Sequence, residues 1–510
     1  MKKTLMILGI ILLIIALPLG SIVTETLTAQ TEPIKEVREG GANMITYQDY
    51  EKSIREGKQG EFIFNSINDF KNSKEYQKMI EAEAYYNGDN TTILNRFPMV
   101  YLKDGMVKDL ARANNQVPTN FLEYIVTQEV STLLSNGLKT EDTIKKALGD
   151  DKFDIQLMNG SLRALIDGVN WGYCYIKDNE FKVAIWRGTE FIPLFDERTG
   201  DLKAGIRFYQ IDSNKPIYIE FYEEDGITEY KIEKDKLNNN SKPIMIQDKR
   251  PYLTKILKSA ITTTIAGAKN WSKLPIFPLY ANEKKKSVFT TSFKAKNDLY
   301  DIIFSDFGNT LEDSRDVFWV LKNYQGEDIN EFYRDYKEYK AIKVDDEGEA
   351  TPHTIEVPHQ ARETALKLIE QALYKEAMAL DTSTLTGSSL NTTAIKSASD
   401  SLNKKVDKFE WQVVEFVSNI INLYLEFMNK ELEYQIKFNR SGLMNDTELI
   451  DNLVKLRDDL SDLTFYEQIP FIEDSQQEID RLEEQGLDKL EVGAEPGAEE
   501  EEEEKKEIKK

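Results

Sequence analysis

Residues Phe191–Ile211 read FIPLFDERTGDLKAGIRFYQI, with apolar positions at every second residue on both sides of a polar break. A period of two puts alternate side chains on opposite faces of a strand. Arg198-Thr199-Gly200-Asp201 supplies turn residues in the break, so the stretch predicts an antiparallel hairpin. The same alternation runs through YCYIKD (173–178), FKVAIW (181–186), PIYIEFYEED (216–225) and TEYKIEK (228–234), with a second turn at Glu224-Asp225-Gly226. An antiparallel sheet is therefore expected from Tyr173 onward. Residues 238–272, around Asn238-Asn239-Asn240, read as an insertion, and LPIFPLYANEKKKS (274–287) as a boundary.

On either side of the sheet the period lengthens to that of a helix. Residues 44–150 read as helical. SKEYQKMIEAEAYYNGD (73–89) stops at Asn87-Gly88. NNQVPTNFLEYIVTQEVSTLLSNG (114–137) carries Phe121, Leu122, Ile125, Val126, Val130, Leu133 and Leu134 at helical spacing. NGSLRALIDGVNWG (159–172) reads as a buried helix. After the boundary comes a helix over 288–313, with Phe293, Leu299, Ile302, Ile303 and Phe307. A small mixed unit follows at 314–356. In it DVFWVLKNY reads as a strand, DINEFYRDYKEYK as a helix, and AIKVDDEGEATPHTIEV as a hairpin turning at Asp346-Glu347-Gly348.

Pro358 opens the next helix at a permitted first-turn position, and Leu366, Ile369, Leu373, Ala377 and Leu380 form a near-heptad seam. The stretch DTSTLTGSSLNTT, Asp381–Thr393, is small and polar and reads as a mobile loop between two helices. A long amphipathic helix is expected over 394–432, then a strand YQIKFNR and two helices. The tail from Glu491, with the run Glu499–Glu504, is too charged to build a core. The expected class is α+β, mainly helical.

Composition excludes several chemistries. A single cysteine, Cys174, allows no internal disulfide, fits a reducing compartment and sits in an apolar strand as a core thiol. His353 and His359 are six apart with no cysteine nearby, which is not the spacing of a zinc site. Asp345–Glu349 resembles a calcium loop only in being acidic, lacking the alternation and the closing bidentate glutamate. No phosphate-binding GxxxxGK, no dinucleotide GxGxxG after a strand and no GxSxG elbow occurs. No cofactor, metal or catalytic residue is expected. The net charge of −24 argues against tight binding of nucleic acid, which requires phosphate neutralisation by Lys and Arg.

The first 43 residues pose a separate question. Lys2 and Lys3 precede an apolar run from Leu5 to Leu17, the pattern of a secretory signal. Taken alone it suggests an exported surface or membrane-anchored binding protein. However, Glu39-Gly40-Gly41 can be encoded by a purine-rich GGAGG tract, with Ala42-Asn43 as a spacer before Met44. The charges of the leader cancel, so residues from 44 onward retain the full −24. Met44 is the expected true start.

The two seamed helices bracket the small mixed unit and suggest side-by-side packing against copies of the chain. A ring is the closed product of a head-to-tail interface. Several stretches, in order, then carry a resemblance: AEAYYNGDNTTILNR, ANNQVPTNFLEYIVTQEVSTLLSNG, FIPLFDERTGDLKAGIRFYQI, LPIFPLYANE, SDFGNTLEDSRDVFWVLKNYQGEDINEF, YKAIKVDDEGEA and PFIEDSQQEIDRLEEQ. Over about 45–484 the chain resembles the portal proteins of tailed bacteriophages, in the type found in long-tailed phages of Gram-positive hosts.

The resemblance implies a ring, commonly a dodecamer, at one capsid vertex of the virion, assembled in the host cytoplasm. It implies a wing at 44–285, stem helices at 286–313 and 357–380, a clip at 314–356, a tunnel loop at 381–393 and a crown within 394–484, before an acidic tail at 485–510. The partners implied are the terminase large subunit, capsid and scaffolding proteins, a head-completion adaptor and double-stranded DNA in the channel. In the tunnel loop it points to Asp381, Thr384, Thr386, Gly387, Ser388, Ser389 and Asn391, with Lys396 just beyond as a sparse phosphate contact; a solvated helix lysine is the plainer reading of Lys396. NTTAIKSASDSL (391–402) follows the family's small-residue pattern only loosely. For terminase docking the clip offers Asn323, Glu327, Asp328 and Glu331, with Asp345, Asp346, Glu347 and Glu349; plain solvated surface is the competing reading.

Overall fold

The computed structural model describes residues 45–102, 105–109, 112–233, 243–258, 263–313, 318–322, 349–353, 359–385, 392–440, 450, 453–469, 472 and 475–484. The leader, the Asn238–Asn240 turn, the helix expected at 328–340, the turn at 346–348 and the acidic tail lie outside them.

The chain opens with α1 (Tyr47–Arg55), α2 (Gln59–Asn72) and α3 (Lys74–Tyr86). Thr46 caps α1 reciprocally with Asp49: its hydroxyl accepts the Asp49 N–H at 3.3 Å and the Asp49 carboxylate accepts the Thr46 N–H at 3.1 Å. Ser73 caps α3. A short turn of helix, α4 (Thr91–Leu94), follows. Residues 44–150 are not all helix, because Met99–Leu102 (β1) pairs antiparallel with Gly105–Lys108 (β2). Gly105, the first residue of β2, has φ 123°, open to glycine and strained for other residues, and the reading by helical period overlooked this hairpin. Next come α5 (Phe121–Leu134), β3 (Leu138–Lys139), α6 (Asp142–Leu148) and α7 (Asp151–Asp167), the last two ended by left-handed Gly149 and Gly168.

The expected sheet is two sheets. Strands β4 (Val169–Lys177) and β5 (Glu180–Arg187) form a three-stranded sheet in the order β13-β4-β5, where β13 is Ile276–Tyr280. The segment read as a boundary is therefore partly a strand, with Phe277 paired to Gly172. A meander of β6 (Phe191–Phe195), β7 (Leu202–Tyr209), β8 (Ile217–Glu223), β9 (Gly226–Ile232) and β10 (Ile244–Arg250) makes the second sheet. Both predicted turns join strands of it. The start of the expected insertion is its edge strand, and β11 (Leu253–Lys258) with β12 (Thr263–Lys269) is a hairpin of its own.

Beyond the sheets lie α8 (Thr291–Asp313), β14 (Phe318–Lys322), β15 (Glu349–His353), α9 (His359–Ala377), α10 (Thr392–Met428), β16 (Lys437–Phe438), α11 (Asp462–Glu467) and α12 (Ser475–Glu484). The described partner of β15 is β14, from Phe318 opposite His353 to Lys322 opposite Glu349. The preceding half of the expected hairpin, 341–348, lies outside the described residues.

Three apolar clusters hold these parts. Tyr50, Ile63, Phe64 and Ile67 of α1 and α2 cover one face of the five-stranded sheet at Ile206, Ile219 and Phe221. Trp171, Trp186, Phe191 and Tyr222 fill the space where the two sheets meet. The largest cluster joins α5, α7 and α10 to the three-stranded sheet and contains Val126, Leu165, Cys174, Phe409 and Phe416. Cys174 is fully buried, and burial pushes its thiol well above the usual range.

Candidate functional site

The residues singled out around the loop and the mixed unit are unequally described. Asp381 is half-buried, Thr384 lies in a 3₁₀ turn spanning Thr382–Leu385, and Lys396 lies in the second turn of α10. Glu349 begins β15. Thr386, Gly387, Ser388, Ser389, Asn391, Asn323, Glu327, Asp328, Glu331, Asp345, Asp346 and Glu347 lie outside the described residues. What the structure defines is the frame from which these segments emerge.

The frame begins with α8 and α9, which run antiparallel. At one end Ser292 Oγ donates to Glu376 Oε2 at 3.0 Å, Thr290 Oγ1 lies 3.4 Å from Glu376 Oε1, and Lys296 pairs with the same carboxylate. Burial pushes the Glu376 carboxyl up, but the bonds from Lys296 and Ser292 outweigh it and hold it below the usual carboxylate range. At the other end Arg362 donates to the Asp306 carbonyl at 3.3 Å and to Thr310 Oγ1 at 2.8 Å. Apolar side chains remain exposed on the pair: Leu299, Phe304 and Leu311 on α8 and Leu368 on α9.

A second face of α8 is polar and docks onto the segment 85–119. Asp298 accepts bonds from Tyr85 and from Thr92 at 3.1 Å and pairs with Lys294 at 2.7 Å. Fully buried Asp301 accepts four: Asn90 Nδ2 at 2.6 Å, Asn297 Nδ2 at 2.9 Å, and the Thr119 hydroxyl and N–H at 2.5 and 3.1 Å. Burial pushes the Asp301 carboxyl above the usual carboxylate range, with the bonds from Thr119 and Asn90 opposing. Further along, Ser305 accepts the Val117 N–H at 3.0 Å, and Arg96 pairs with Asp306 at 3.1 Å. Residues 294, 298, 301 and 305 lie three to four apart, so most of these contacts come from one helix face, with Asn297 and Asp306 beside it. Periodicity of apolar residues could not reveal this face, because its periodic residues are polar.

The root of the loop is equally well built. Helix α9 ends with Met378 at φ 53°, the Ala379 N–H bonding back to the Tyr374 carbonyl at 2.9 Å, and Leu380 buried. Gln128 of α5 meets both backbone groups of Leu380: its amide oxygen accepts the N–H at 2.8 Å and its amide N–H donates to the carbonyl at 3.1 Å. Asp381 Oδ1 then accepts the Ser383 N–H at 2.9 Å and the Ser383 hydroxyl at 2.5 Å. On the returning side, Lys405 of α10 reaches Glu129 of α5 at 2.7 Å, and Glu129 is almost wholly buried. Burial raises the Glu129 carboxyl and the Lys405 ammonium opposes this. Sequence reading missed Gln128 and Glu129. Only Glu129 carries a signal: a charged residue inside the apolar run IVTQEVSTLL.

Among the described residues no group of three or more His, Cys, Asp or Glu could hold a metal ion. Among them, also, no helix is long and apolar enough to cross a membrane.

Two known proteins are similar over most of the chain. The portal protein of Clostridium phage phiCD119 is 25% identical over 414 residues, covering 74% of this chain and 86% of the relative. The portal protein of Bacillus phage SPP1 is 24% identical over 441 residues, covering 80% and 84%. The family described as "Phage portal protein, SPP1 Gp6-like" matches residues 69–489, a span that takes in both sheets, the helix pair and the loop root, and the chain belongs to that family.

Proposed function

We propose that this chain closes into a ring at one vertex of a phage head and conducts double-stranded DNA during packaging and ejection. The observation that carries the reading is the family match across 69–489, which includes the expected stem, clip and tunnel-loop segments. The ring is made by repeated side-by-side packing of the α8–α9 pair, and the exposed Leu299, Phe304, Leu311 and Leu368 supply apolar surface for it. Residues 44–285 are the wing, 314–356 the clip that docks the terminase large subunit, and 381–393 the tunnel loop. Capsid and scaffolding proteins and a head-completion adaptor are the other partners.

The physics of the channel fits a protein of net charge −24. Each phosphate neutralised by a fixed cation adds affinity that must be lost again at the next step. A wall of carboxylates and small polar loops leaves DNA free to slide, and translocation energy comes from the docked motor. The portal itself needs no nucleotide site.

The test is electron microscopy and native mass measurement of the protein started at Met44. Closed rings are expected. A monomer at every protein and salt concentration tried would sink the reading.

A further inference from the structure

We propose that α5 positions the tunnel loop, with Gln128 and Glu129 as the positioning residues, and that it ties the root of this loop to the stem helix α8. The inference rests on reading 381–393 as the tunnel loop. Its physical basis is that two consecutive residues of one helix hold the chain on both sides of that loop, at Leu380 directly before it and at Lys405 further along α10. Gln128 bonds Leu380 through both backbone groups, as a neighbouring strand would, one residue before the loop begins. Glu129 holds Lys405 on the helix into which the loop returns.

Each contact is sheltered from water. Leu380 and Leu402 are buried beside the two anchors, and Val406 is fully buried. The rings of Tyr124 and Tyr374 pack edge to face 5.8 Å apart at the same junction. The opposite end of α5 is held by the stem, because Thr119, directly before the capping residue Asn120, gives its N–H and hydroxyl to the buried Asp301 of α8. The helical part of this link, from Phe121 to Gln128, covers roughly 10 Å at 1.5 Å per residue. A displacement of α8 therefore moves a rigid rod whose far end grips the loop. Hydrogen bonds at both ends, rather than apolar packing alone, make the link directional: a shift of an ångström breaks them.

The experiment uses full rings and phage particles carrying Q128A, Q128E or a deletion of Gly387–Asn391. Thermolysin cleavage at Leu385 and Leu390 reports opening of the loop root, and cleavage outside the loop is the internal reference. For Q128A, loop cleavage is expected to rise about tenfold relative to the reference, with rings intact and packaged DNA reduced. Q128E keeps the acceptor for the Leu380 N–H but loses the donor to its carbonyl, so it should fall between wild type and Q128A. If Q128A prevents ring formation, Q128E alone decides on the same ratio.

Cleavage that rises equally at all sites would mark ordinary destabilisation and overturn the proposal. So would wild-type loop cleavage, or undiminished packaging in a Q128A ring. Normal packaging by the deletion variant would instead remove the tunnel-loop reading, whatever the cleavage ratio says of Gln128.

Discussion

Glu129 and Lys405 show at the residue scale how a charged residue survives in a core. The carboxylate is almost wholly out of water and has the Lys405 ammonium at 2.7 Å. Breaking such a pair leaves an uncompensated buried charge, so K405M should cost about 3–5 kcal/mol. Replacing both partners by apolar residues, E129L with K405M, removes the uncompensated charge and should restore most of that loss. Urea midpoints of the two variants check the ordering, and a double variant as unstable as K405M would contradict it. Glu376 is a milder case at the antiparallel end of the helix pair. Its carboxyl is held below the usual range, so its contribution is present above about pH 4.5 and is lost as pH falls through the folded value. Because the group is partly solvated, the effect should not exceed about 1 kcal/mol. Melting curves of wild type and E376Q should differ at neutral pH and converge as the pH falls below the folded value of Glu376; a gap that widens on acidification would reverse the assigned sign.

At the element scale, α10 is the spine of the largest core. Its 37 residues extend roughly 55 Å. It sits close against the three-stranded sheet because Gly172 of β4 has no side chain: a Cβ there would lie 2.5 Å from the Phe416 ring. G172A must push α10 off the sheet or turn Phe416 from its place, and either should cost about 1–3 kcal/mol. Thermal unfolding measures this, and an unchanged midpoint would mean that the helix is free to shift. Helix α8 is fastened differently. Its polar face exchanges hydrogen bonds with 85–119 at Asp298, Asp301 and Ser305, while Phe293 is buried in the largest core and Leu299, Phe304 and Leu311 stay exposed.

At the scale of the whole molecule, assembly and DNA packaging should be separable. Deleting Gly387–Asn391 shortens the loop tip and leaves both anchors on α5 in place. Rings should therefore form in normal yield while packaged DNA falls. Counting filled heads by electron microscopy distinguishes this from an assembly defect, which would lower ring yield first. The acidic balance adds a salt dependence: a channel that does not grip phosphates should hold bare DNA weakly even at low ionic strength.

Much of the fold was legible in the order of residues. The meander of β6 to β9 and its two turns follow from a period of two, and α5, α9 and α10 from apolar residues three and four apart. These are local signals, because alternation and helical spacing are written within one element. The short hairpin at Gly105, the strand Ile276–Tyr280 inside a supposed boundary and the division into two sheets were not legible, since each depends on which distant segment supplies the partner. The family resemblance rested on ordered stretches of sequence and needed no coordinates. The anchoring of the loop did: Gln128 and Leu380 are 252 residues apart, and an isolated glutamine in a helix has no pattern of its own. Sequence periodicity declares what a segment becomes, because backbone geometry is local. Which buried polar groups satisfy one another is settled only when the packed chain brings them within hydrogen-bonding distance.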